Sequence, residues 1–231
     1  MKNGALLFLG LFAALGVSWA GIVLGSSRQF GALAPFYDGG SDQSFPTGMP
    51  GAAARGQLVY RDLNCASCHT QQVRRPGYGD DQARGWGARQ SVARDYIYQP
   101  FVQLGDSRIG PDLANFSARA PSAPDAAIIY SLLYNGRGSM PAYQFLFETQ
   151  KISGEVSSHA LQSSAGIQAP AGYEVVPTER AEALVAYLLS LSSPFDYPES
   201  VPAAPPKDEK APAAASGAQA AAPAKPAETK K

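Results

Sequence analysis

The sequence has few residues able to hold a metal or a covalent cofactor: two Cys, two His and three Met among 231 residues. Two Cys allow at most one disulfide, so the chain is not a disulfide scaffold. A structural zinc site needs four ligands, which the chain could supply only by joining both Cys to two His far apart in sequence. Charged residues make up 16% of the chain and the formal net charge is zero. The chain therefore lacks the excess of basic residues that is typical of nucleic-acid-binding proteins, and we expect no nucleic-acid partner.

A long apolar run occupies the N-terminus. From Gly4 to Gly25 only Ser18 has a polar side chain, and a helix of this length rises about 33 Å, enough for the roughly 30 Å hydrocarbon core of a membrane. The alternative is a cleaved signal peptide, because Ser18-Trp19-Ala20 fits a small-x-small cleavage site. The run is longer than the apolar part of a usual signal peptide and continues past that point. We therefore predict a transmembrane anchor over residues 1–27.

Composition divides the rest of the chain into three parts. Residues 28–50 are rich in Gly, Pro, Ser and aromatics without a clear period, which predicts a linker or a strap lying over the domain that follows. That domain spans residues 51–197. Residues 198–231 are predicted to be a disordered tail, because from Pro202 onward they are mainly Ala, Pro, Lys and Glu and cannot bury enough surface to order themselves. The excess of Lys in this tail would suit an acidic partner or lipid headgroups, although a solvated tail is the simpler interpretation.

The domain shows three helical patterns. The first runs from Ala52 towards Cys65. The second fits Pro124–Asn135, with Gly136 as its stop, and the third begins after Thr178 as N-cap with Glu residues in its first turns. Residues 144–176 show neither a clear helical nor a clear strand period.

The strongest motif is Cys65-Ala66-Ser67-Cys68-His69. C-x-x-C-H attaches c-type haem: each thiol adds to a haem vinyl group, and the adjacent imidazole becomes the proximal iron ligand. The alternative is a redox or structural C-x-x-C. Such a motif is expected near a thioredoxin-like βαβ pattern, and this sequence shows no such pattern. Because the motif occurs once, we predict one covalent haem c, with Cys65, Cys68 and His69 as its residues.

The sixth iron ligand has three candidates. Low-spin electron-transfer haems take Met or His opposite the proximal His, which leaves Met140, Met49 and His159. Met140 is favoured because it lies in a loop rich in Gly and Pro, outside the periodic apolar runs in which a Met that merely fills the core would be expected. His159, flanked by Ser, is more typical of a surface imidazole.

Two further features suit a haem. Pro111, in a Gly-Pro turn, offers a carbonyl that would accept the second ring N–H of the proximal His and so fix the ring. From Asn3 to Gln150 the basic residues are eleven Arg and no Lys, and Arg suits carboxylates such as the haem propionates. The Arg residues nearest to the motifs are Arg74, Arg75 and Arg108, with ordinary surface charge as the alternative for each.

These motifs together resemble a family. Their order along residues 1–192 is similar to that in the membrane-anchored mono-haem subunit (subunit II) of cbb-type, or C-family, cytochrome c oxidases. The matching motifs are Gly56-x-x-x-Tyr60, Cys65-Ala66-Ser67-Cys68-His69-Thr70-Gln71, Gly105-Asp106-Ser107-Arg108-Ile109-Gly110-Pro111-Asp112-Leu113, Ser139-Met140-Pro141-Ala142-Tyr143 and Ala183-Leu184-Val185-Ala186-Tyr187-Leu188.

The resemblance implies an all-α, class I cytochrome c domain whose first and last helices cross at Gly56, with Tyr60 and Tyr187 packed at the crossing. It also implies His69 and Met140 as axial ligands of one haem, and a task of passing single electrons towards a catalytic subunit that reduces oxygen. The implied partners are that subunit, other cytochrome c subunits and the membrane. The implied location is a bacterial inner membrane, with the haem domain on the periplasmic side.

Catalysis would take place elsewhere, because beyond His69 this chain has a single imidazole, His159, too few for a haem–copper centre, and it has no Cys left for a dicopper site. Two alternatives remain open at this point: a stand-alone, membrane-tethered cytochrome carrier, and the haem subunit of a nitric oxide reductase.

Overall fold

The computed structural model describes residues 3–119, 123–161 and 166–201. Its N-terminus is one continuous helix, Gly4–Gly31, with an 18-residue window of mean hydropathy 2.2, none of it buried against the rest of the chain. Along this helix, α1 (Gly4–Trp19) passes through a π-helical segment (Ala20–Leu24) into α2 (Gly25–Gly31). Its large apolar side chains therefore face outward, as in a helix that contacts lipid.

A short hairpin follows, and it lies on the domain as a strap. Strands β1 (Phe36–Asp38) and β2 (Gln43–Phe45) pair antiparallel, with Phe36 opposite Phe45. Both aromatic rings pack on Phe195 near the end of the domain, at centroid distances of 5.3 Å and 4.5 Å. The Arg94 guanidinium also donates to the Ala34 carbonyl. Residues 34–45 thus lie against the domain as a strap, and the linker or strap over residues 28–50 stays a prediction.

The core of the domain forms around the crossing of α3 (Gly51–Asp62) and α5 (Glu179–Ser190). The crossing is so close that a Cβ on Gly56 would lie 1.9 Å from the Ala183 carbonyl oxygen, so a residue without a side chain is required there. Tyr60 and Tyr187 meet edge to face beside it, with ring centroids 5.3 Å apart. The expected crossing of the first and last helices of the domain is present.

Capping residues set the ends of α4 and α5. Helix α4 (Ala126–Asn135) starts where the Asp125 carboxylate accepts the Ile128 N–H at 2.8 Å, and it ends at Gly136, whose φ of +69° suits glycine. Helix α5 starts where the Thr178 hydroxyl accepts the Ala181 N–H at 3.3 Å. The helical patterns predicted from the sequence are confirmed, with the second helix starting slightly later than expected.

The prediction of an all-α domain is not confirmed. Strands β3 (Phe147–Lys151) and β4 (Tyr173–Pro177) form a second antiparallel pair, with Phe147 opposite Pro177. The two strands lie at the ends of residues 144–176, whose sequence has neither a clear helical nor a clear strand period. Their pairing buries Phe147 and Val175 in the core, while most of β3 is exposed, so neither strand shows the regular alternation that identifies a strand in sequence.

The chain after α5 folds back onto the domain. The 3-10 turn Pro198–Ser200 is ordered, and Tyr197 and Ser200 are only 1% and 3% exposed. Residues 197–200 therefore pack on the domain, and the boundary at residue 197 stays a prediction. The rest of the predicted disordered tail, residues 202–231, lies outside the described residues.

Candidate functional site

The Cys65–His69 segment follows α3 directly. Asn64 has a left-handed backbone conformation, with φ of +55°, and turns the chain into a 3-10 turn, Cys65–Ser67. The His69 N–H donates to the Cys65 carbonyl at 2.9 Å. Both Cys65 and Cys68 are free, half-buried thiols, and burial raises the pKa of Cys65 to about 11. Two thiols and an imidazole thus share one turn of backbone, as attachment of a haem through C-x-x-C-H requires.

Five successive carbonyls of this segment accept hydrogen bonds from five different positions in the domain. For Ser67, Cys68, His69, Thr70 and Gln71 in turn, the donors are the Ser107 N–H (3.1 Å), the Gly110 N–H (3.0 Å), the Tyr60 hydroxyl (2.8 Å), the Leu113 N–H (2.8 Å) and the Tyr96 hydroxyl (2.8 Å). The segment has little regular secondary structure of its own. Its geometry is therefore set by these long-range hydrogen bonds, which hold the thiols and the imidazole in one arrangement.

The His69 ring is oriented by the turn that follows Arg108. Its Nδ1 lies 2.9 Å from the Pro111 carbonyl oxygen, and because a carbonyl can only accept, Nδ1 carries the proton and Nε2 keeps its lone pair for a metal. Gly110 packs against the ring face: a Cβ there would lie 2.2 Å from His69 Cε1. The hydrogen bond expected at Pro111 is thus present, and a glycine is needed beside it.

Met140 lies at the end of a tight turn after α4. Arg137 and Met140 exchange two backbone hydrogen bonds, of 3.1 Å and 3.0 Å, and Gly138 between them has φ of +59°. Met140 and Cys65 both pack, half-buried, against the same hydrophobic core. Burial, and after it the charges of Cys65 and Cys68, raise the pKa of Tyr143.

The two alternatives to Met140 are placed differently. Met49 lies in the segment between the strap and α3, where it lines a cleft formed with the chain after α5. The His159 side chain is 66% exposed and pairs with Glu182 at 2.9 Å. His159 is therefore a surface imidazole, and the rigid turn favours Met140 over Met49 as the iron ligand.

Arg108 belongs to an internal ion-pair network. Its guanidinium lies 2.8 Å from Asp81, which also receives Arg74 at 3.0 Å. Burial alone would raise the pKa of Asp81, but hydrogen bonds from Arg74 and the charge of Arg108 outweigh it and lower the pKa. Arg75, the third candidate, stacks over Tyr78 at 3.9 Å. Asp81 therefore already engages the guanidinium groups of Arg74 and Arg108, whereas the stacking of Arg75 on a ring occupies none of its in-plane N–H donors.

Arg119, which lies in none of the sequence motifs, has a guanidinium group that is unpaired among the described residues. Its Nε and Nη2 atoms are buried without a hydrogen-bond partner among the described residues, and burial lowers its pKa, against the opposing charge of Asp112. The group lies over Phe116 at 5.3 Å, and Phe116 packs on the same core as Met140. Nothing in the sequence separates Arg119 from the other Arg residues, because its burial depends on how a long loop folds back.

These residues fit a haem better than a bare ion. No group of three or more His, Cys, Asp or Glu side chains in the described ranges could hold a metal ion. A haem iron needs only two protein ligands, and His69 and Met140 would supply them. The unpaired Arg119 guanidinium suits a buried carboxylate such as a propionate, since an uncompensated buried cation is costly.

Comparison with known families agrees with this arrangement. A family model described as cytochrome C oxidase, mono-heme subunit/FixO matches residues 52–186, more than half of the chain. No curated protein matches the sequence.

Proposed function

The chain belongs to the family of cytochrome c oxidase mono-haem subunits, and on this premise we propose that it carries one covalent haem c bound at Cys65 and Cys68. As a member of this family it is an electron-transferring subunit of a cbb-type oxidase, and a catalytic subunit is its partner. The observation that supports the proposed attachment is the C-x-x-C-H turn, with five successive carbonyls held by the rest of the domain.

Each site residue has a distinct proposed role. The Cys65 and Cys68 thiols form the thioethers, His69 is the proximal ligand, and Met140 is the sixth ligand. The haem supplies reversible one-electron chemistry, while the protein sets its orientation and potential. Pro111 holds the His69 ring through Nδ1, at 2.9 Å, which makes Nε2 a better donor to iron. Arg119 takes the propionate role first considered for Arg108.

The docked strap favours a fixed subunit over a tethered carrier. A shuttle needs a flexible linker between anchor and domain. Here only residues 32–35 separate α2 from β1, Arg94 donates to the Ala34 carbonyl, and Phe45 stacks on Phe195 at 4.5 Å. The haem domain would therefore keep one position relative to its anchor. Family membership likewise favours an oxidase over a nitric oxide reductase.

The apolar helix anchors the chain in a membrane, and we place the haem domain on the periplasmic side of a bacterial inner membrane. Lys2 precedes the helix and supports a cytoplasmic N-terminus, because positive charge is retained on that side. Other cytochrome c subunits of the same complex are the proposed electron donors.

The proposal is tested on the complex purified in detergent. We expect a haemochrome spectrum of c-type haem, covalent haem on this chain at one per subunit, and co-purification with a larger membrane subunit that reduces oxygen. Absence of covalent haem would refute the attachment. A haem-bearing chain free of any larger subunit would support the tethered carrier, and turnover of nitric oxide instead of oxygen would support the reductase.

Replacing Arg119 with Leu is expected to lower the reduction potential of the haem, because a nearby positive charge stabilises the reduced state. The haem-loaded protein should lose about 1–3 kcal/mol of stability, because the substitution leaves the buried propionate without a hydrogen-bond partner. Potentiometric titration and thermal unfolding of the complex measure both effects. The matched control is Arg84→Leu, which removes an exposed guanidinium stacked on Trp86 at 5.0 Å. Equal potentials in the two variants would contradict the role of Arg119.

A further inference from the structure

The His69 peptide has a second anchor that is independent of the imidazole ring. The Tyr60 hydroxyl, on α3, donates to the His69 carbonyl oxygen at 2.8 Å. Tyr60 is 1% exposed. The hydrogen bond is therefore shielded from water, and it acts on the backbone of the proposed axial ligand itself. In a shielded environment such a bond is electrostatically stronger than at the surface.

The helix crossing holds the Tyr60 ring in place. Gly56, one turn earlier on α3, allows α5 to approach so closely that Tyr187 packs edge to face on Tyr60. The Tyr60 hydroxyl is the donor of this hydrogen bond, because the His69 carbonyl oxygen can only accept.

We propose that Tyr60 is a positioning residue that raises the reduction potential of the haem through its hydrogen bond to the His69 carbonyl. This inference rests on the proposed function, namely a haem held by His69. The positive end of the Tyr60 O–H dipole points at the peptide of the axial ligand, so it disfavours the more positive, oxidised iron. The Pro111 carbonyl acts in the opposite sense, because it accepts from Nδ1 and makes the imidazole more basic. The hydrogen bond from Tyr60 would raise the reduction potential and the hydrogen bond to Pro111 would lower it, and together they would set its value.

The chain offers a matched control in Tyr187. It lies at the same crossing and is 0% exposed, but its hydroxyl donates to the Gln71 side-chain oxygen at 2.9 Å, and not to the His69 peptide. Tyr60→Phe and Tyr187→Phe each delete one buried hydroxyl from the same ring pair. A purely structural role would give both variants the same phenotype.

The experiment is a potentiometric titration of haem c in the complete oxidase complex, for wild type, Tyr60→Phe and Tyr187→Phe. We expect Tyr60→Phe to show a lower midpoint potential than both other proteins, with haem content unchanged. An unchanged midpoint in Tyr60→Phe, or an equal shift in both variants, would overturn the proposal. Absence of haem from the wild-type chain would instead refute the proposed function, so the two failures are distinguishable.

A second variant decides the matter if Tyr60→Phe does not assemble. Site-specific replacement of Tyr60 with 3-fluorotyrosine is nearly isosteric and makes the phenol a stronger hydrogen-bond donor. We expect the midpoint potential to rise, while the same replacement at Tyr187 leaves it close to wild type. A midpoint that does not rise at position 60 would overturn the proposal.

Discussion

Replacing Met140 with Ala is expected to leave the haem covalently attached at Cys65 and Cys68 but to remove the sixth iron ligand. The sulfur-to-iron charge-transfer band of the oxidised protein should disappear, and the reduction potential should fall, because a thioether ligand raises the potential of a haem. Each 1.4 kcal/mol of lost driving force is about a tenfold change in the equilibrium for accepting an electron. A loss of about 1.4 kcal/mol would lower the ratio of reduced to oxidised haem about tenfold at a given donor potential, so oxygen consumption driven through this haem should fall.

Met49→Ala is the control for this experiment. Met49 and Met140 are both half-buried and both pack against the hydrophobic core, so the two substitutions remove a similar side chain from similar surroundings. We expect Met49→Ala to keep the charge-transfer band and most of the oxidase activity. The reverse result, with the band lost only in Met49→Ala, would assign the ligand to Met49 and refute Met140.

Replacing Gly110 with Ala is expected to displace the His69 ring. The added Cβ would lie 2.2 Å from Cε1 and 2.5 Å from Nδ1, closer than any real contact, so the ring or the turn must move. Such overpacking costs about 1–3 kcal/mol. Loss of the hydrogen bond to Pro111 would also weaken the ligand, and changes to such supporting contacts typically cost 10–100-fold in metal affinity or activity. Spectra of the oxidised haem and the yield of matured protein measure the effect.

Gly87→Ala separates displacement of the ring from crowding in general. A Cβ on Gly87 would lie 2.6 Å from the Asn115 amide nitrogen and 2.7 Å from a Val73 methyl group, so it is crowded as well but does not face the imidazole. We expect it to lower stability without altering the haem spectrum or potential. If both glycine variants changed the spectrum alike, the role given to Gly110 would be wrong.

The helix ends and the C-x-x-C-H turn could be predicted, because each depends on residues close together in sequence. The Asp125 and Thr178 caps involve groups three residues apart, and Gly136 ends α4 through its own backbone freedom. The spacing within Cys65–His69 likewise depends only on one turn of chain. Periodicity also identified α5, whose buried and exposed residues follow the helical repeat.

The β strands were not predictable in the same way. In β3 only Phe147 is buried, so the strand lacks the alternation that would mark it. The pairing of Phe147 with Pro177 joins residues that are 30 positions apart in sequence, so it does not depend on a local pattern. The prediction of an all-α domain failed because these strands are stabilised by tertiary contacts and not by local preference.

The sequence by itself determined the anchor helix, the C-x-x-C-H turn and the ends of the helices, since each depends on residues within a few positions of one another. Only the tertiary structure decided that Asp81 pairs with Arg108, that residues 34–45 lie against the domain, and that Tyr60 reaches the His69 carbonyl. The sequence motifs point to Arg108, but Asp81 pairs with Arg108, and within the described ranges it is Arg119 that is buried without a hydrogen-bond partner for Nε and Nη2. The burial of a side chain and its choice of hydrogen-bond or ion-pair partner depend on which distant segments pack against it, and a local sequence pattern does not specify those contacts.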